Sequence, residues 1–328
     1  MRPTLCAHQD GVRHHQAPKP CGSSPHTDPE HGRTCGVCRW QDVPVTTILS
    51  IQSTVAYGHA GNSAAVFPMQ RLGVDVWPVI TVHFSNNTSY GTWRGPLLSA
   101  SDIHEVVLGI DERGVLDRVD GVLSGYQGAV DVGGEILAAV ALVKERNPAT
   151  LYCCDPVMGD VDRGFFVRPG VPEFLRDEVA PKADVITPNH FELNFLTGTV
   201  STTLEEVLDA IDRLRASGPR VVLATSVVHD RQQPGTLDMV AVDDEGAWLV
   251  TTPLLDRRFT GSGDLTSAIF LTALLTEPGT AGALERTANI VYGVLKATTD
   301  AGVRELLLVQ AQDEIAHPSH SFSAVRLR

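Results

Sequence analysis

The sequence has no apolar run of about 18 residues, the length a helix needs to span a bilayer, so no segment reads as a membrane span. It also lacks an apolar core near its start of the kind a secretory leader carries, and the expectation is a cytoplasmic protein without a membrane partner. Positive charge is scarce: 26 Lys and Arg stand against 39 Asp and Glu, for a net charge of -13. General binding to nucleic acid needs a basic face, so that class is excluded, whereas a small anionic substrate needs only a local site. Cysteine is thin outside the first 44 residues. Cys6, Cys21, Cys35 and Cys38 lie there, which leaves only the adjacent Cys153 and Cys154 and no disulfide framework.

Those first 44 residues are rich in Pro, Gly, His and Cys and have almost no aliphatic side chains, which predicts a disordered N-terminal extension. Cys35-Gly-Val-Cys38 has the spacing of one half of a zinc knuckle, with Cys21, His26 and His31 upstream, but the second half is irregular. A flexible tail is the preferred reading. A third is that the tail is not made, with a start near Val43 or Val45, since the next methionine, Met69, lies inside the fold.

From Thr46 onward the pattern changes. Short β-rich runs at 46–51, 74–82, 120–124, 151–154, 184–186 and 220–224 are separated by helical segments, among them 63–72, 101–116 and 130–146. Strands alternating with helices predict an α/β domain over 45–328, a mostly parallel sheet covered on both faces. Residues 239–242 and 247–250, split by Asp243-Asp-Glu-Gly246, read as a hairpin extending the sheet, and 265–275 and 284–298 as closing helices. In such folds the site lies beyond the carboxyl ends of the strands. Ser53, Ser124-Gly-Tyr126, Asp155-Pro-Val-Met-Gly159 and Thr187-Pro-Asn-His-Phe-Glu192 follow four of these runs and should converge on one edge.

The stretch Phe259-Thr-Gly-Ser-Gly-Asp264 runs into the apolar helix 265–275. Gly261 and Gly263 let successive N–H groups turn toward one point, and the helix start adds its positive end, so the point favours an anion. Asp264 beside it is placed to accept a proton from an attacking hydroxyl. Phosphoryl transfer to an alcohol needs both parts. Taken alone, the same residues also read as a tight turn and a helix cap.

The motifs decide between these readings. Ile51-Gln-Ser53, Tyr57-Gly-His-Ala-Gly-Asn62, Phe84-Ser-Asn86 with Thr88 and Tyr90-Gly91, Ser124-Gly-Tyr126, Cys154-Asp-Pro-Val-Met-Gly159, Thr187-Pro-Asn189 with Glu192, and Gly261-Ser-Gly-Asp264 occur in that order. Over roughly 280 residues the chain resembles the pyridoxal kinase family of the ribokinase-like superfamily. The resemblance implies a ribokinase-like three-layer α/β/α sandwich. It also implies ATP-dependent, Mg²⁺-assisted phosphorylation of the 5'-hydroxyl of pyridoxal in vitamin B6 salvage, with pyridoxine and pyridoxamine as further acceptors. A homodimer and a monovalent cation are further expectations of the same kind.

Carried over by position, the resemblance makes Asp264 the general base and gives the γ-phosphoryl to the backbone of Gly261, Ser262 and Gly263. Ser53, Thr88 and Ser89 would bind the acceptor, with Tyr57, His83, Phe84 and Tyr90 as candidates for ring packing. Asp155, Thr187, Glu192, Thr225, Thr252, Pro253, Leu254 and Leu255 would surround ATP. Two carboxylates near a triphosphate repel it unless a cation lies between, so Asp155 and Glu192 are the metal candidates. The sequence departs from the family at Ser89, where Gln or Gly is common, at Ser262, where Thr or Val is, and at Thr225, where some bacterial relatives carry Lys. Arg257 and Arg258 are candidates to replace that cation. The rivals are a hydroxymethylpyrimidine kinase of thiamine synthesis, a sugar or nucleoside kinase, and a non-catalytic carrier of pyridoxal phosphate.

Overall fold

Five parallel pairings build the centre of the sheet. Strand β1 (Thr47–Val55) lies between β2 (Asp75–Phe84) and β3 (Gly121–Ser124); β4 (Leu151–Cys154), β7 (Val185–Ile186) and β8 (Val221–Val227) continue it in the same direction. Then the direction reverses: β9 (Thr236–Val242), β10 (Ala247–Pro253) and β11 (Val325–Arg326) add antiparallel, giving nine strands in the order β11-β10-β9-β8-β7-β4-β3-β1-β2. A separate small hairpin joins β5 (Gly159–Asp160) to β6 (Gly164–Phe165). The structure, a computed structural model, describes residues 45–328. The expectations for the N-terminal extension, including the Cys35 and Cys38 half-site, lie outside the described residues.

Successive residues of a strand face opposite sides, and β1 shows how the layers follow. Leu49 and Ile51 pack with α2 (Ala100–Asp111), α3 (Val130–Arg146), α4 (Val171–Phe174), α5 (His190–Thr197) and α6 (Leu204–Ser217) through Ile103, Val140, Val171, Leu193 and Val207. Ile48, the neighbour of Leu49, packs on the other face with α1 (Asn62–Arg71), α7 (Ser262–Thr276) and α8 (Gly279–Asp300) through Met69, Leu271 and Leu284. A last helix, α9 (Gln312–Ala316), closes that side through Ile315. Two buried faces explain why the strands read as continuous aliphatic runs.

The helices follow their local chemistry. Buried Leu204, Val207, Ile211 and Leu214 form one stripe of α6, Thr203 and Glu206 close a capping box at its start, and Gly218 ends it. α7 is different: every residue from Leu265 to Ala273 is buried, because it lies between the sheet and α8. Two boundaries differ from expectation. The helix expected over 101–116 stops at Asp111, and the chain turns at Gly114, φ +66°, into a 3₁₀ turn at Leu116–Arg118. β1 does not stop before Ser53 but runs on to Val55, with a register shift between Gln52 and Thr54. Asn62 holds that shift: its Nδ2 donates to the carbonyls of Ser50, Gln52 and Val79, at 3.3, 3.3 and 3.1 Å.

Candidate active site

The anion loop is built by one glycine. Gly261, φ +86°, is the cap residue of α7, and a Cβ there would overlap His59 O, so no other residue fits without moving the loop. The first intrahelical bond is Leu265 N–H to Gly261 O, 2.9 Å, which leaves the N–H groups of Ser262, Gly263 and Asp264 ahead of the helical ladder. The Asp264 carboxylate accepts from the Gly61 N–H and from its own N–H. It keeps a partly accessible face in otherwise protein-filled surroundings, and burial raises its pKa above the ordinary carboxylate value.

Asp155 follows β4 and is 5% exposed. One of its oxygens, Oδ2, has no hydrogen-bond partner, and it lies 3.9 Å from where a Cβ of Gly263 would be. Burial, then the charge of Asp264, then that of Glu192 push its pKa well up. Its other support is Ser267, whose hydroxyl also sits 2.7 Å from Thr187 Oγ1, so Thr187 and Asp155 share one α7 side chain. Glu192 is held more fully. Its Oε1 accepts from Met158 N–H at 3.0 Å and Gly159 N–H at 3.4 Å, and its Oε2 accepts from Asn189 N–H at 2.9 Å in a capping box. Burial outweighs those donors and pushes it up to about 7. A buried acceptor without a donor, facing two further acids, fits a hard cation. Among the described residues no three His, Cys, Asp or Glu side chains form a cage, so water and phosphate oxygens would complete its shell.

The remaining residues expected around the nucleotide reach the same edge through sheet register. Thr225 N–H donates to Pro188 O at 2.9 Å. Ser226, at the register shift between Ala224 and Val227, has φ +51°, the one positive φ outside glycine among the described residues. Val227 pairs with Asp238 and Asp238 with Thr251, which carries Thr252 and Pro253 beyond the end of β8. Leu254 N–H then bonds to Gly235 O at 2.8 Å while its side chain is exposed, and Leu255 follows, half-buried. The two arginines are engaged elsewhere: Arg257 donates to the carbonyls of Thr298 and Val303, and Arg258 pairs at 2.7 Å with Asp162 on the β5–β6 hairpin.

On the other side, Ser53 lies directly against Gly61, where a Cβ would overlap both Ser53 O and Oγ. Since Gly61 N–H reaches Asp264, Ser53 and the acid are separated by a single residue in space. Thr88 and Ser89 belong to a 3₁₀ turn, Thr88–Tyr90, capped by Asn87, and Ser89 Oγ sits 3.4 Å from Thr260 Oγ1 in the anion loop. Tyr57 meets Tyr90 edge to face at 6.0 Å, and Phe84 packs on Trp93 at 6.1 Å; His83 is exposed. Asn62 and Glu305 were not singled out by sequence reasoning. Asn62 closes a visible motif; Glu305 has no local signal, because its partners are hundreds of residues away.

Residues 128–307 match the family model described as Phosphomethylpyrimidine kinase. Pyridoxal kinase PdxY of Leifsonia xyli subsp. xyli is 51% identical over 280 residues, covering 85% of this chain and 99% of the relative. The chain belongs to the pyridoxal kinase family. The corresponding enzyme of Rubrobacter xylanophilus is 54% identical over 281 residues, covering 85% and 97% of the two chains. Among solved structures, pyridoxal kinase from Leishmania donovani in complex with ADP and pyridoxine superposes with a TM-score of 0.80 at 28% identity, over 86% of this chain and 99% of that one. Members of the pyridoxal kinase family share the ribokinase-like α/β/α layering described above, so fold and family agree.

Proposed function

We propose that this chain transfers the γ-phosphoryl group of ATP to the 5'-hydroxymethyl oxygen of pyridoxal, giving pyridoxal 5'-phosphate and ADP. The observation that carries the reading is the meeting, at one helix start, of a backbone anion loop and Asp264. A hydroxyl beside Ser53 is then within reach of a base and of the group it attacks. Asp264 takes the hydroxyl proton as the oxygen bonds to the γ-phosphorus, and the bond to the β–γ bridging oxygen breaks. The N–H groups of Gly261, Ser262 and Gly263 meet the charge on the transferring group. A carboxylate with a raised pKa is a stronger base than an exposed one, and the Gly61 N–H keeps it oriented.

Asp155 would hold Mg²⁺, with Glu192 adding negative charge nearby, and the ion would supply charge neutralisation for the phosphate oxygens. The main-chain donors already on both oxygens of Glu192 favour this division. Thr187, Thr225, Thr252, Pro253, Leu254 and Leu255 line the ATP side, and Thr88 and Ser89 close the acceptor side. Relatives named as pyridoxal kinases, and Leishmania structures holding ADP with pyridoxine or pyridoxamine, support these B6 forms as further acceptors. A homodimer and a cytoplasmic location rest on the family alone. Among the described residues no helix is long and apolar enough to cross a membrane.

One observation favours a second reading, a hydroxymethylpyrimidine kinase: the family model that matches carries that description. Its match begins at residue 128 and omits Ser53, Thr88 and Ser89, whereas the pyridoxal kinase relatives cover the acceptor side as well. Both readings are tested by incubating the full chain with ATP and Mg²⁺ and following transfer to pyridoxal, pyridoxine, pyridoxamine and hydroxymethylpyrimidine, with Asp264→Asn as control. Asp264-dependent turnover of pyridoxal is expected. Turnover of the pyrimidine alone overturns the acceptor assignment, and tight pyridoxal phosphate binding without turnover would make the chain a carrier. Replacing K⁺ by Na⁺ in the same assay reads a monovalent-cation requirement.

A further inference from the structure

The connection between α8 and α9 bonds to the 57–61 loop, to the Thr88–Tyr90 turn and to Arg257. Glu305, partly buried there, uses both carboxylate oxygens: Oε1 accepts from Tyr90 Oη at 2.6 Å and Oε2 from His59 N–H at 3.0 Å. Those donors sit 215 and 246 residues earlier in the chain. The approach is close enough that a Cβ at Gly58, φ +83°, would collide with the carboxylate. Arg304 adds a second hold on the same turn. Its guanidinium lies 3.6 Å over the Tyr90 ring and donates to Ser89 O and Oγ, each at 3.0 Å. Val303 O accepts from Arg257, just before the anion loop.

We propose that Glu305, seconded by Arg304, is a positioning residue that latches the 86–91 lid and the 57–61 loop over the acceptor side of the cleft. The proposal rests on the pyridoxal kinase reading of that site. Three adjacent residues on one segment tie down three loops that the sheet itself does not order. The latch also reaches the phosphoryl side, since His59, held through its N–H, presses its carbonyl on Gly261. The bond to Glu305 pushes the Tyr90 phenol up to about 12, so Tyr90 remains a donor throughout the working range. Glu305 meets neither Asp264 nor the anion loop directly; its action is on where Ser89, Thr88 and Gly61 stand. With the lid released, the acceptor is held loosely and water gains access to the γ-phosphorus, so ATP plus water gives ADP and phosphate in competition with transfer.

The test uses full-length Glu305→Ala, Glu305→Gln and Tyr90→Phe. The Gln variant keeps both bonds through its amide, Oε1 accepting from His59 N–H and Nε2 donating to Tyr90 Oη, and removes only the charge, whereas the Phe variant loses the Tyr90 bond and keeps that to His59 N–H. Losing a bond to a charged group predicts a pyridoxal KM raised roughly 10-fold in Glu305→Ala and less in the other two. The ATP KM should stay within about 2-fold, since none of Asp155, Thr187, Glu192, Thr225 and residues 252–255 is hydrogen-bonded to Glu305. ADP released should exceed pyridoxal 5'-phosphate formed. Limited trypsin digestion, followed by mass spectrometry at exposed Arg94, is an independent readout of the lid, and cleavage there should accelerate about 10-fold. Unchanged Arg94 cleavage and unchanged pyridoxal KM in folded Glu305→Ala overturn the latch. So does a joint rise of both KM values with a fall in Tm, which marks mere structural support. If the parent phosphorylates none of the B6 forms while Glu305→Ala still speeds Arg94 cleavage, the functional reading fails and the latch stands.

Discussion

On the side of the cleft proposed to take the nucleotide, Asp155, Thr187, Glu192 and Thr225 stand at or just past parallel strands, and main-chain groups or buried hydroxyls hold them. On the other side, where the proposed acceptor would lie, Ser89, Tyr90 and the 57–61 loop make exposed or half-buried side-chain bonds to Arg304 and Glu305. The first side is anchored by main-chain bonds at the ends of the sheet strands. The second rests on single hydrogen bonds, each worth about 0.5–1.5 kcal/mol net, or about 1.5–3 when one partner is charged. A kinase must admit and release its acceptor, and the weaker side is the one that can move.

The comparison is broken most severely at the point both sides share. Asp264→Asn is expected to lower kcat by about 10²- to 10⁴-fold with both substrates still bound, because only proton removal is lost. Its ligand-free Tm should not fall, since a desolvated charge has been removed. Near-parental kcat in the folded variant removes Asp264 as the base. Next, Gly261→Ala forces a side chain into the left-handed region and onto His59 O, displacing the anion loop and the 57–61 loop together. A shift of about 1 Å in a reacting group costs on the order of 10²-fold, so kcat/KM should drop by that much, with Tm lowered as well.

Asp155→Asn sharpens the comparison by separating stability from function on the rigid side. In the ligand-free fold the pKa of Asp155 is raised by burial and then by its acidic neighbours. Relative to an Asn variant, the wild type therefore matches it below about pH 4 and loses stability as pH climbs from the unfolded value through the raised folded one. Thermal denaturation at pH 4 and pH 8 should show the variant gaining only at the higher pH. The Mg²⁺ concentration for half-maximal rate should rise roughly 10-fold, the effect of losing one charge-assisted contact. Equal Tm differences at both pH values would remove the charge argument.

How much of this was legible in residues differs by side. Asp155, Thr187 and Glu192 could be read because each follows an aliphatic run within one or two turns of chain, and the Asn189 to Glu192 spacing is itself a capping box. The hairpin of β9 and β10 could be read from its acidic, glycine-closed turn. The short β5–β6 pair and the two-residue β11 could not, because so few residues carry no period. Ser53 was placed just past β1; the strand continues because Asn62 feeds donors into the irregular register, a contact no strand pattern encodes. Arg257 was a candidate for the phosphate and instead holds the carbonyls at the end of α8, a choice made by distance in space.

By itself, the sequence determined the alternating α/β layering and the glycine-and-acid helix start of α7, because hydrophobic period and backbone freedom act over a few residues. Only the tertiary structure decided the raised pKa values of Asp155 and Glu192, because desolvation depends on what packs above a group and not on its neighbours in the chain. It also decided that a glutamate between the last two helices bonds to Tyr90 and His59, since a hydrogen bond between residues that far apart exists only once the fold has brought them within reach.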